Sequence, residues 1–293
     1  MQENVLAEIK SHWNDYSKGQ KRIASFVLEH YDKAAYMTAA KLGMAVDVSE
    51  STVVRFATEI GYEGYPQFQK VLLNLIPQKL TAPQRMEVAA NQMEGGNILE
   101  KVLNSDINNI RNTLTGISKE TFDGSIQTIL GARSIYILGT RSTNVLASFL
   151  GFYLNLMLPD VKLIQSSSDA GMYEHILRID QYDVFIGISF PRYAAVTRNA
   201  AEYAHSCGAK IIAITDSNSA PIAKVADHVL VARSNMAAFA DSLVAPLSVI
   251  NALIVAIGLN KKNEMNQTLN KLENIWDAYG IYEKESKSDG EEG

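Results

Sequence analysis

The chain has 293 residues, 47% of them apolar, with one cysteine and a net charge of −5 at neutral pH. That length is enough for two domains of about 150 residues each. A lone Cys207 excludes an internal disulfide and a thiolate zinc cluster, and the absence of any run of about 18 apolar residues speaks against a membrane span.

Residues 1–10 include Glu3 and Glu8 and no apolar stretch, so they do not read as a secretory signal, and a cytoplasmic protein is expected. Residues 1–76 read as a bundle of capped helices. Val5, Leu6, Ile9 and Trp13 recur at helical spacing. Ser17 caps a second helix whose apolar face includes Ile23, Phe26, Val27 and Tyr31. Thr38 caps a short third helix to about Ala45, and Val46, Asp47 and Val48 make a tight connection. Ser49 caps a fourth helix that runs to Ile60 and stops at Gly61. Pro66 suits the first turn of a fifth, through Leu75.

Residues 77–97 change texture. Pro77, Pro83, Gly95 and Gly96 mark a linker with a helix inside it, from about Gln84 to Gln92. A second domain is expected over residues 98–280. It opens with helical patterns at 98–114 and 119–131. Five short apolar runs follow, "SIYILG", "VKLIQ", "VFIGIS", "KIIAIT" and "HVLVA", over about residues 134–232. Such runs, separated by helical stretches, indicate a doubly wound, five-stranded parallel sheet covered on both faces by helices. The predicted fold class is therefore an all-α N-terminal bundle followed by an α/β domain. An apolar helix over about 241–259 belongs to a core or a subunit interface. Residues 281–293, ending "EKESKSDGEEG", are expected to be a disordered tail.

The stretch "SESTVVRFATEIGYEGYPQF" carries the first functional signal. Val53, Phe56, Ala57 and Ile60 fall on one helical face, and Ser51, Arg55 and Thr58 on the other. Two short helices joined by a tight turn make a helix-turn-helix, whose second helix enters the major groove of DNA. Arginine there reads guanine, and hydroxyls near the helix start meet phosphates or bases. Against this, residues 1–80 hold nine basic and nine acidic side chains, so no net basic charge advertises nucleic acid. On pattern alone, a DNA-reading helix and an ordinary capped surface helix both remain open.

The same stretch resembles the N-terminal domain of the RpiR/MurR family of bacterial transcriptional regulators. Ser49, Thr52, Val53, Arg55, Phe56, Ile60, Gly61, Tyr62, Gly64, Tyr65 and Phe68 follow that family's pattern in order. The resemblance implies an operator-DNA partner, with Ser51, Thr52 and Arg55 as contacts. Ser49, Thr58, Tyr62 and Lys70 complete the candidate set.

In open parallel sheets, ligands bind beyond the C-terminal strand ends. Three such ends here are rich in hydroxyls: "LGTRSTN", "ISFPRYAAVT" and "ITDSNS". Gly139 allows a tight turn, and Ser142 and Thr143 stand at a helix start, where free N–H groups hold anions. Ser189 ends the third strand, and Arg192 adds a cation suited to phosphate or carboxylate. Singly, each has a plain structural alternative, a helix cap or an ion pair. No Walker A or dinucleotide glycine motif is present.

Residues 134–232 resemble the sugar isomerase (SIS) domain, a flavodoxin-like sheet, and "DVFIGISFPRYAAVT" is similar to its form in these regulators. The resemblance implies a domain that senses a phosphorylated sugar or related metabolite and forms a homodimer or homotetramer. It makes Ser142, Thr143 and Ser189 phosphate or effector ligands, joined by Gly139, Arg192 and Tyr193. Many SIS enzymes carry a Ser-Gly-x-Thr loop where this chain has Ser189-Phe190-Pro191-Arg192-Tyr193, which leaves a carboxylate or sugar acid open as effector. The alternative is a SIS-type sugar-phosphate isomerase with an accessory helical domain. Its acid/base candidates are Glu174, His175, His205 and His228, with His205 and His228 read as structural. No metal-ligand spacing is present, and neither cofactor nor catalytic residue is expected.

Overall fold

The computed structural model describes residues 5–79, 82–93, 95–165, 169–235 and 240–282. The tail expected from residue 281 therefore lies outside the described residues from 283 onward. The chain divides into two compact units, Met1–Ser105 with Asn235–Ser242, and Asp106–Ser234 with Leu243–Gly293.

The first unit is helical: α1 (Val5–Ser11), α2 (Lys18–Ala34), α3 (Ala39–Ala45), α4 (Glu50–Glu59), α5 (Tyr65–Lys79) and α6 (Ala82–Met93). Its second helix starts where a capping box forms. The Ser17 hydroxyl accepts from the Gln20 amide, and the Gln20 side chain accepts from the Ser17 N–H. One apolar stripe from each of α1 to α5 meets in a core containing Ile9, Ile23, Leu42, Val53, Phe56 and Phe68. The Phe56 ring lies 5.2 Å from Tyr16 and 5.9 Å from Phe68. Tyr65 ties α5 to the end of α2: its hydroxyl donates to the Met37 carbonyl at 2.8 Å and approaches that of Ala34 at 3.3 Å. The fifth helix passes the expected end at Leu75 and includes Pro77. A proline removes one helical hydrogen bond, and here that loss does not end the helix. The buried Arg85 of α6 pairs with Asp241 at 3.2 Å, both in this unit.

The helix α7 (Ile98–Leu114) begins in the first unit and ends in the second. Then follow α8 (Lys119–Leu130), β1 (Ile135–Gly139), α9 (Thr143–Met157), β2 (Val161–Leu163), α10 (Asp169–Ile176), β3 (Val184–Ile188), α11 (Ala195–Ser206) and β4 (Lys210–Thr215). A 3-10 turn (Pro221–Val225), β5 (His228–Val231), α12 (Val244–Asn260) and α13 (Lys262–Tyr279) complete the unit. The strands are all parallel, in the order β2-β1-β3-β4-β5. This is the flavodoxin-like doubly wound arrangement.

Strand residues alternate between two cores. Ile137, Ile186 and Ile212 pack with α9 and α12 on one face, while Tyr136, Phe185 and Ile211 pack with α10, α11 and the 3-10 turn on the other. The apolar helix expected over 241–259 is α12, which buries Val249, Ile250, Leu253 and Ile257 in the first of these cores. No single helix among the described residues is long and apolar enough to cross a membrane, and α12 meets α13 at a 98° bend.

Candidate functional sites

In the first unit, the α3–α4 pair is built by short-range chemistry. The Thr38 hydroxyl accepts from the Lys41 amide at 3.2 Å, starting α3, and that of Ser49 accepts from Thr52 at 3.3 Å, starting α4. Between them the Val48 N–H donates to the Gly43 carbonyl at 2.9 Å. A Cβ on Gly43 would stand 2.7 Å from the Val48 carbonyl oxygen, so the turn closes only over a glycine. Asp47 sits at φ +54°, a left-handed conformation that aspartate tolerates better than most residues.

With Val53, Phe56 and Ala57 buried, α4 turns Ser51, Val54, Arg55 and Thr58 to the outside. The hydroxyl of Ser49 lies 2.9 Å from that of Ser51 and 2.8 Å from that of Thr52, giving a hydroxyl cluster at the helix start. The Arg55 side chain lies along the helix, with Nε 3.4 Å from the Ser51 carbonyl. The Thr58 hydroxyl donates to the Arg55 carbonyl at 2.9 Å. The helix thus gathers Ser49, Ser51, Thr52, Arg55 and Thr58, while Lys70 is exposed on α5. Tyr62 is placed differently. Its ring packs 5.5 Å from Phe68, and burial, then the charge and hydrogen bond of Glu8, raise its pKa. Sequence reading passed over Val54, which is 38% exposed on the outer face of α4. Its signal is an apolar residue lying off the buried stripe.

In the second unit the strand order reverses between β1 and β3, so the chain leaves these neighbours toward opposite faces of the sheet. The crevice left between the two exits is where doubly wound folds place ligands. Gly139 ends β1 opposite Ile188 of β3, and an added Cβ would stand 2.4 Å from the Thr143 carbonyl oxygen. The Thr143 hydroxyl is buried and internally engaged. It accepts from the Thr140 amide at 2.8 Å and faces the carbonyls of Thr140 and Ile188 at 2.8 and 3.1 Å. It therefore fixes the two strand exits to each other. Ser142 stands at the α9 start, yet its hydroxyl makes no capping bond. Ser189 is buried, with its backbone held by Ile214 and its hydroxyl without a hydrogen bond among the described residues. Arg192 is exposed at φ +57°, and Arg141, which the sequence reading had not selected, mirrors it at φ +56° on the β1 exit. Non-glycine residues held at positive φ cluster at ligand sites.

Tyr193 reaches across to the β4 exit, where its hydroxyl donates to Asp216 Oδ1 at 2.8 Å. Burial raises the pKa of Asp216 above the usual carboxylate value, against the opposing hydrogen bonds of Tyr193, its own backbone and Thr215, and the charge of Arg233. Sequence reading missed Asp216 because its surroundings depend on the chain-distant β3 and β5 exits, through Tyr193 and Arg233. His228, at the start of β5 and so at the end of the strand away from the crevice, bonds Thr128 of α8 at 3.0 Å. Glu174, His175 and His205 are exposed on their helices.

Residues 3–78 match the model of the helix-turn-helix domain of the rpiR family, and residues 128–256 match that of the SIS domain. The chain carries an rpiR-family helix-turn-helix domain followed by a SIS domain. Among similar proteins of this kind is an uncharacterized HTH-type transcriptional regulator of Haemophilus influenzae, 26% identical over 78% of this chain and 79% of its own length. The HTH-type transcriptional regulator HexR of Pseudomonas aeruginosa is 24% identical over 75% and 76%. The sugar isomerase domain of an RpiR transcription factor from Sphaerobacter thermophilus superposes with a TM-score of 0.57 at 26% identity, covering 59% of this chain and 97% of that one. The NanR protein of Vibrio vulnificus, solved with ManNAc-6P, shares the fold over 94% of this chain and 99% of its own, with a TM-score of 0.58 at 19% identity.

Proposed function

We propose that this protein is a bacterial DNA-binding transcriptional regulator whose SIS domain senses a phosphorylated sugar or related sugar acid. The observation that carries the reading is the pairing of two open polar surfaces in one chain. One is the hydroxyl- and arginine-bearing face of α4. The other is the crevice, where the hydroxyls of Ser142 and Ser189 make no hydrogen bond among the described residues. In this reading Arg55 reads a base edge, Val54 meets a thymine methyl, and Ser49, Ser51, Thr52, Thr58 and Lys70 hold the backbone. Tyr62 supports the helix from the core side. In the crevice, Ser142, Ser189 and the turn at Gly139 hold the phosphate with Arg192, while Thr143 and Tyr193 position the exits. In this reading residues 1–76 are the DNA-binding domain, 77–97 the linker and 98–280 the sensing domain, while the compact units divide at Ser105 and return Asn235–Ser242 to the first. The neutral charge of residues 1–80 makes doubling valuable, so a homodimer or homotetramer in the cytoplasm would pair two α4 helices on one operator. Effector binding alters operator affinity to the extent that the two states bind it differently. The protein acts without catalysis or cofactor.

The test combines two variants. Arg55→Ala should lower operator affinity by roughly 10- to 100-fold, as loss of a bidentate base contact does, and leave the effector-induced thermal shift intact. Ser189→Ala should abolish the thermal shift and leave operator binding intact. Turnover of a sugar phosphate without any DNA binding would instead establish the isomerase reading.

A further inference from the structure

Resting on that reading, we infer that the effector is the phosphate ester of a neutral, hydroxylated sugar, and that Asp216 selects it against phosphorylated sugar acids. The crevice is bipolar. Its β1 and β3 exits carry Arg141 and Arg192, both exposed, beside the hydroxyls of Ser142 and Ser189, which make no hydrogen bond among the described residues. Its β4 exit carries a carboxylate. Gly139, Ile188 and Ile214 share one register row, so Asp216 stands two strand spacings from the β1 exit, about 10 Å across the sheet. An anion at one end and a different group at the other can span that distance.

Three contacts say what the different group is. Asp216 Oδ1 already accepts from the Tyr193 hydroxyl at 2.8 Å and the Thr215 hydroxyl at 3.3 Å. Oδ2 takes no side-chain hydrogen bond among the described residues. Arg233, whose charge acts on this carboxylate, directs Nη1 to the Asp216 backbone carbonyl at 3.2 Å instead. A half-buried carboxylate with one oxygen free of side-chain donors among the described residues, and with Arg233 as the cation acting on it, attracts a further donor, such as a sugar hydroxyl or an amide N–H, and repels a second carboxylate. Two like charges about 5 Å apart at a partly buried site differ from a neutral pair by roughly tenfold or more in affinity.

The experiment uses matched probes on the full chain. Binding of glucose 6-phosphate and mannose 6-phosphate is measured by calorimetry against the aldonic acid 6-phosphates derived from the same sugars, with inorganic phosphate as the minimal probe. The aldose phosphates should bind at least tenfold more tightly. Asp216→Asn, with its melting temperature measured alongside, should shrink that gap by strengthening the acid, and Asp216→Ser serves if the amide fails to fold. Equal or tighter binding of the aldonic acids to the wild-type chain overturns the selection by Asp216 and leaves the sugar-phosphate sensor standing. If neither the sugar probes nor inorganic phosphate bind, the sensor reading falls, and this inference falls with it.

Discussion

Gly43 shows how much one missing methyl decides. The turn that sets α4 against α3 closes because the Val48 carbonyl comes within 2.7 Å of where a Cβ would be. Gly43→Ala forces backbone apart rather than a flexible side-chain tip, and should cost about 1–3 kcal/mol by the usual scale of overpacking. A lowered melting temperature together with weakened operator binding is the expected signature; an unchanged protein would show that the turn adapts. Tyr65 makes a second prediction at this scale. Burial raises its pKa from 10.0 to about 12. The folded state therefore keeps the phenolic proton longer than the unfolded chain. The resulting stability is full below pH 10 and is lost as pH rises toward 12, up to about 2–3 kcal/mol. Tyr16, also raised to about 12, first by burial and then by Glu8, Glu59 and Asp15, acts in the same sense. Tyr65→Phe should lower stability at pH 8, because two carbonyls lose their donor, and should flatten the fall in urea midpoint between pH 9 and 12. A fall as steep as in the wild type would assign the titration elsewhere.

At the scale of elements, the helix α9 is set by a threonine rather than by a cap. Ser142 contributes no capping bond, and Thr143 spends its hydroxyl on the Thr140 loop and on the end of β3. Thr143→Val should loosen both strand exits, weakening effector binding about tenfold and lowering stability by about 1–2 kcal/mol, whereas Thr143→Ser should restore both. A direct ligand contact would instead weaken binding without a stability cost. This element also marks where sequence reading stops. The strands are legible because each is a short apolar, β-branched run, and α4 because its buried residues recur at helical spacing. Ser142 and Thr143 are adjacent hydroxyls at one helix start, and only the fold separates a free one from one spent on backbone 45 residues away. Asp216, Arg141 and the inward ring of Tyr62 are unreadable for the same reason. Burial and backbone conformation at these positions come from segments distant in the chain.

Across the whole molecule, the two units are not consecutive in sequence. The chain leaves the first within α7, returns to it for Asn235–Ser242, and leaves again before α12. The return is held by the buried Arg85–Asp241 pair. Removing one partner of such a pair strands the other, at a cost of about 3–5 kcal/mol, while removing both costs less. Arg85→Met and Asp241→Leu should each lower stability strongly and the double variant should recover part of it, measured as a non-additive cycle of unfolding free energies. Additive losses would show that the two side chains act separately. This interleaving also bears on engineering. A sensor module cut as one continuous block from about residue 98 onward carries Asp241 away from Arg85. A chimera that swaps sensing domains between such proteins would have to exchange positions 85 and 241 together, so the useful unit of transplantation is discontinuous.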